Sequence, residues 1–142
     1  MRVLDNLVPA KVFYYFEELC NIPHGSTNTK AISDYCVNFA KERGLAYHQD
    51  AENNIIILKN GSKGYEDSKP VIIQGHLDMV CEKEADCTID FEKDGLSLAI
   101  DGDYIYAEGT TLGGDDGIAV AMALAILDDD TLEHPPIEAV FT

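Results

Sequence analysis

The sequence predicts an α/β fold, a mixed and largely buried sheet flanked by helices. Three observations predict it. Segments with apolar residues at helical spacing alternate with short β-branched runs. The strand runs, above all Val71-Ile72-Ile73 and Ile137–Phe141, are nearly continuous in apolar residues, as in sheets covered by other layers. Gly, Pro and Asn clusters punctuate the alternation. With 142 residues, the chain can build one domain with a real core but hardly two.

Taken in order, Pro9 suits a first helical turn, and Val12, Phe13, Phe16 and Leu19 continue a helix over 9–20. Ile22-Pro23 ends it, and the polar stretch after Pro23 is a loop. Thr27 or Asn28 is the expected cap of a second helix with Ile32, Tyr35, Cys36, Phe39 and Ala40 on one face, and Gly44 is its stop. Short strands are expected at 46–48 and 54–58, and a loop at 60–69. Pro70 then introduces a buried strand. Residues 82–94 are polar and irregular. Leu96–Ile100 and Tyr104–Tyr106 flank Asp101-Gly102-Asp103, a hairpin signal. The run from Ile118 to Leu127 is apolar nearly all round, the mark of a buried helix, and Ile137–Phe141 is a last strand. A chain stopping right after a core strand is expected to be part of a longer one.

The balance is acidic: 26 Asp plus Glu against 10 Lys plus Arg, a formal charge of −16. Such a surface repels nucleic acid and anionic membranes, so neither is an expected partner. The N-terminus lacks a signal core with a small-residue cleavage site, and no apolar run reaches the roughly 18 residues needed to span a bilayer. A cytoplasmic location is expected. Cys20, Cys36, Cys81 and Cys87 form no CxxC and are expected to be reduced.

Chemistry concentrates in two places. After Val71-Ile72-Ile73 come Gln74-Gly75 and then His76 and Asp78, which leave one strand end on the same side. That pairing suits a metal-binding histidine whose tautomer is fixed by a carboxylate. Gly113-Gly114-Asp115-Asp116-Gly117 then opens the apolar helix. A Gly-rich turn at a helix start can cradle phosphate, but two aspartates there favour a cation over an anion. Each feature has a plainer reading. His76 could be a core histidine, Asp78 a loop cap, and Asp115 and Asp116 mere complements to the helix dipole. Together they read as part of a metal site. The GGDD string resembles the turn of cyclic-dinucleotide synthases, yet that turn joins hairpin strands, whereas a buried helix follows here.

QGHLDMV at 74–80 with EGTTLGGDDGIAVAMALAIL at 108–127 resembles the aminoacyl-histidine (Xaa-His) dipeptidases, co-catalytic dizinc metallopeptidases. The stretch CNIPHGSTNTKAISDYCVNFAKERGL at 20–45 has the same look, so the resemblance covers essentially the whole chain. It implies the zinc-peptidase (phosphorylase/hydrolase-like) fold, incomplete here. Residues 1–142 would form the N-terminal part of a catalytic domain, with its remainder and a lid and dimerisation domain lying elsewhere. It implies two Zn²⁺ ions, Mn²⁺ or Co²⁺ being alternatives. His76 matches a ligand of one metal, and Asp115 matches the carboxylate shared by both. Asp78 matches the active-site carboxylate that clamps the His76 imidazole. A cis peptide is implied at Asp115-Asp116, with Asp116 not a ligand. His24, His48 and His134 match no ligand and are expected to be surface or loop residues.

The family's Glu-Glu pair, base and ligand, would follow Thr142, and a later Asp and a distant His complete the metal shell. The implied activity is hydrolysis of Xaa-His dipeptides by an intact, cytoplasmic homodimer. These 142 residues alone are expected to be inactive and to self-associate through an incompletely covered sheet. The alternatives are another dizinc amidohydrolase, such as a tripeptidase or aminoacylase, and a non-enzymatic interaction or metal-binding module.

Overall fold

The structure, a computed structural model, describes residues 2–142. Helix α1 spans Ala10–Cys20 and α2 spans Lys30–Glu42. The strands β1 Ala46–Gln49, β2 Ile55–Lys59 and β3 Val71–Gly75 follow. A hairpin of β4 Leu98–Asp101 and β5 Tyr104–Ala107 precedes α3 Gly114–Leu127 and the strand β6 Ile137–Phe141.

Local chemistry explains most of these limits. Pro9 occupies the position before α1 rather than its first turn. The cap of α2 is Thr29, not Thr27 or Asn28, and its side chain makes no capping bond. The reason is a turn one step earlier, where the Asn28 N–H donates to the Gly25 carbonyl at 2.7 Å and holds residues 25–28 outside the helix. Gly44 ends α2 as expected. At φ +64 it takes the left-handed conformation that other residues resist. Its N–H donates to Lys41 at 3.2 Å and that of Leu45 to Ala40 at 2.9 Å, the paired bonds of a Schellman ending.

The main sheet has the order β1-β2-β6-β3, so the last strand in sequence lies inside the sheet. β1 and β6 run antiparallel to β2, while β3 runs parallel to β6, with Val71 opposite Ile137 and Gly75 opposite Phe141. The sheet is therefore mixed, as the sequence predicts. Along β2, Ile55, Ile57 and Lys59 are buried while Ile56 and Leu58 are exposed. The helices thus cover the face bearing Ile55, Ile57, Ala139 and Phe141. On that side Phe16, Leu19, Ile32, Phe39, Val120 and Leu124 complete the core. Phe141 is fully buried, and truncating it to alanine should cost about 3–5 kcal/mol.

β3 departs from the expectation of a buried strand. It lies at the sheet edge, with Val71 47% and Ile72 64% exposed. Its apolar run marks a strand, but strand order is set by pairings distant in sequence. α3 is largely buried as its composition predicts, although Met122 remains exposed. Its C-terminal end is tied down by cations. Lys59 Nζ donates to the carbonyls of Leu127 at 2.9 Å and Asp129 at 3.0 Å. Lys11 and Arg43 pair with Asp128 at 3.1 and 2.6 Å. All four cysteines are free, and burial pushes the thiols of Cys20 and Cys36 up to about 12. No helix among the described residues is long and apolar enough to cross a membrane.

Candidate metal centre

The first limb of the site is the exit from β3. The parallel ladder runs one step past the strand: the Thr142 N–H donates to the Gly75 carbonyl at 3.1 Å, and the Leu77 N–H to Thr142 at 2.6 Å. Residues 75–77 are held extended by these bonds. Leu77 and Met79 turn into the core at 2% and 3% exposure. His76 and Asp78 alternate with them and leave on the other side. They lie beyond the last strand residue, so it is this extra pairing that preserves the expected two-residue spacing. Farther on, the Met79 N–H donates to the His24 carbonyl at 2.9 Å, anchoring the segment to the loop between α1 and α2.

The second limb is the start of α3. Gly113 precedes it at φ +71, and no side chain caps the helix. Asp115 (φ −90, ψ 104) and Asp116 (φ −119, ψ 23) are not helical. The peptide between them is cis, as the resemblance implies. The Asp115 side chain is 95% exposed and reaches His76.

The limbs meet at the imidazole. His76 Nδ1 lies 2.9 Å from Asp78 Oδ1 and 3.0 Å from the Asp78 carbonyl, while Nε2 lies 3.0 Å from Asp115 Oδ1. With Nδ1–H donating to Asp78, a neutral ring turns its Nε2 lone pair toward a carboxylate oxygen that is itself only an acceptor. Two acceptors so close need a positive charge between or upon them, either a proton or a cation. Burial pulls the His76 imidazole down, but the hydrogen bonds to Asp115 and Asp78 outweigh it and hold it above its ordinary value. The Ser26 hydroxyl, and then His76 itself, hold Asp78 below the usual carboxylate range against the opposing effect of burial.

A metal fits this pair. Zinc sits about 2.0–2.2 Å from imidazole nitrogen or carboxylate oxygen, which places two donors on one ion roughly 3 Å apart. The pair is only part of a shell. Among the described residues no group of three His, Cys, Asp or Glu side chains is arranged to hold a metal.

His24 and His134 lie in loops, as expected, yet neither is a surface residue. His24 and His134 are buried, at 5% and 8% exposure. His24 Nδ1 lies 2.6 Å from the Ile22 carbonyl, and burial pushes its pKa down. Its loop packs against Met79 and Gly113, a neighbourhood that local sequence does not encode. His134 is enclosed where its backbone exchanges hydrogen bonds with Ser62, its N–H donating to Ser62 Oγ at 2.8 Å. His48 is exposed as expected. Sequence reasoning missed Ser26 beside Asp78, and no motif marked it.

No family model matches the chain. Over all 142 residues, however, it is 42% identical to the cytosol non-specific dipeptidase of Escherichia coli (strain K12). The crystal structure of aminoacylhistidine dipeptidase from Vibrio alginolyticus superposes with a TM-score of 0.95 at 39% identity, over 98% of this chain. Along its whole length the chain resembles the aminoacyl-histidine dipeptidases. It spans 29% of the E. coli dipeptidase and 28% of the Vibrio chain. A tripeptidase structure from Staphylococcus aureus, at 22% identity and a TM-score of 0.72 over 93% of this chain and 35% of that one, shares the fold. The mixed α/β architecture of this chain is that of these solved peptidases.

Proposed function

We propose that residues 1–142 form the N-terminal part of the catalytic domain of a cytoplasmic metal-dependent dipeptidase that cleaves Xaa-His and related dipeptides. The observation that carries this reading is the Nε2 of His76 facing Asp115 Oδ1 at 3.0 Å, with Asp78 behind the ring at 2.9 Å. His76 and Asp115 would hold divalent metal, zinc by preference, with Asp115 shared between two ions. Bound metal ions supply Lewis-acid polarisation of the scissile carbonyl and acidify water. Asp78 keeps the proton on Nδ1, so the Nε2 lone pair stays free for the cation and the ring cannot turn. The negative charge of Asp115 draws the cation to the mouth of the site, where its exposure leaves room for a peptide.

The general base and the other ligands come from sequence outside these residues. The only adjacent glutamates here, Glu17 and Glu18, sit in α1. Glu17 is buried and accepts the N–H groups of Val3 and Leu4 at 2.8 and 3.0 Å, a structural task. Hydrolysis would release one free amino acid and histidine. The intact protein would act as a homodimer on dipeptides, with no nucleic-acid or membrane partner.

The test is hydrolysis of β-Ala-His, Gly-His and a panel of dipeptides lacking histidine, by a protein continuing beyond these residues as its relatives do. Cleavage that a chelator abolishes, that Zn²⁺, Mn²⁺ or Co²⁺ restores, and that His76→Ala removes is the expected result. No cleavage of any dipeptide by metal-loaded protein would sink the proposal. The 142 residues by themselves should not turn over.

A further inference from the structure

The carboxylate next to the bridging position has a job that ligand counting leaves out. Asp116 Oδ2 accepts the backbone N–H of His76 at 3.3 Å, across 40 residues of sequence. An aspartate in a first helical turn commonly accepts an N–H of its own helix, but no side chain caps α3. Because the backbone at both aspartates is non-helical, Asp115 and Asp116 reach His76 at two different points, its ring and its main chain.

The fold makes room for this contact. A Cβ at Gly75 would lie 3.2 Å from Asp116 Oδ2 and 3.2 Å from Val120 Cγ2, so the missing side chain lets Asp116 approach the end of β3. On one side of His76 the backbone is fixed to Thr142 through Gly75 and Leu77. Without Asp116, the amide of His76 itself would have no tie to the turn that carries Asp115.

We propose that Asp116 is a positioning residue: its bond to the His76 amide locks the β3 exit to the α3 turn and so sets the spacing of the His76 and Asp115 metal donors. This rests on the reading of His76 and Asp115 as ligands. Asp116 does not touch the metal. Outer partners of metal ligands typically contribute 10–100-fold in affinity, and a long single hydrogen bond belongs at the low end. Asp116→Ala should therefore weaken Co²⁺ binding about tenfold. Asp116→Asn, which keeps an oxygen acceptor for the same N–H, should stay within about threefold of wild type.

The experiment is a Co²⁺ titration of the full chain followed by the visible d–d absorption, with thermal melting of each apo variant. Weaker binding by Asp116→Ala, recovery in Asp116→Asn and similar melting temperatures support the proposal. Unchanged binding in Asp116→Ala overturns it. Equal loss in both variants also overturns it, since charge rather than the hydrogen bond would then be at work. Unaltered binding in His76→Ala would instead defeat the ligand reading itself. Should Asp116→Ala not fold, amide exchange in the wild-type protein decides. A slowly exchanging His76 N–H supports the tether, and one exchanging at the free-peptide rate refutes it.

Discussion

At its C-terminal end α3 meets Lys11 from α1, Arg43 from the end of α2 and Lys59 from β2. At its N-terminal end it offers Asp115 and Asp116 to a single histidine. The cations brought to the first end and the carboxylates of the second have the sign that complements the helix dipole, yet the two ends are finished differently. The C-terminal carbonyls and Asp128 find specific donors at 2.6 to 3.0 Å. The N-terminal carboxylates cap nothing in their own helix, and Asp115 Oδ1 faces His76 Nε2 across 3.0 Å. The closed end is built for stability. The open end holds an electrostatic demand that a proton or a cation would meet.

The largest effect expected from breaking this contrast is at the open end. Asp115→Ala should lower divalent-metal affinity by more than the roughly 100-fold upper range for outer partners, because it removes a donor outright. Isothermal titration with Zn²⁺ would read it. At about ten times its Kd, metal should also stabilise the wild type by about 1.4 kcal/mol, and Asp115→Ala should lose that gain.

Next is the closed end. Lys59→Met removes the donor to two carbonyls, one of them buried with it, at a cost of about 2–3 kcal/mol. Urea unfolding would measure this, and metal affinity should not move. A Lys59→Met protein as stable as wild type would erase the distinction between the ends.

A smaller, pH-dependent effect is expected at Asp128. Burial alone would raise its carboxyl, but hydrogen bonds from Arg43 and Lys11 prevail and hold it below the usual range. A depressed folded-state pKa stabilises at pH above the unfolded value, and that contribution fades as pH falls through the folded one. Stability should therefore drop below about pH 4, and Asp128→Asn should flatten that drop in melts recorded across the acid range. The smallest effect should be that of Asp115→Asn on the stability of the metal-free protein. Its side chain is 95% exposed, so a change within about 0.5 kcal/mol is expected.

Legibility in the sequence followed the same divide between local and distant causes. The bounds of β6, the hairpin at Gly102 and the stop at Gly44 are written in neighbouring residues, and each stands where it was read. The meeting of His76, Asp78 and Asp115 was legible only because the two motifs, each with a plainer reading alone, point to one site when taken together. The edge position of β3 was not, since it depends on β6 entering beside it from more than sixty residues away. Nor was the enclosure of His24, which Met79 and Gly113 supply from the far side of the sequence. Lys59 reads as an ordinary end to a strand, yet it is the buried clamp of α3 because β2 ends beneath the last turn of that helix.

The order β1-β2-β6-β3 also says something about how the chain comes to life on the ribosome. The first two strands can pair as soon as they emerge, but β3 has no neighbour in the sheet until residues 137–141 follow it out. Until then its apolar run must wait unpaired, and the two limbs of the site have no common floor. Closing this sheet requires contacts far apart in sequence, which are slow to form. During synthesis, the edge of β2 and all of β3 are therefore what a nascent-chain chaperone would meet.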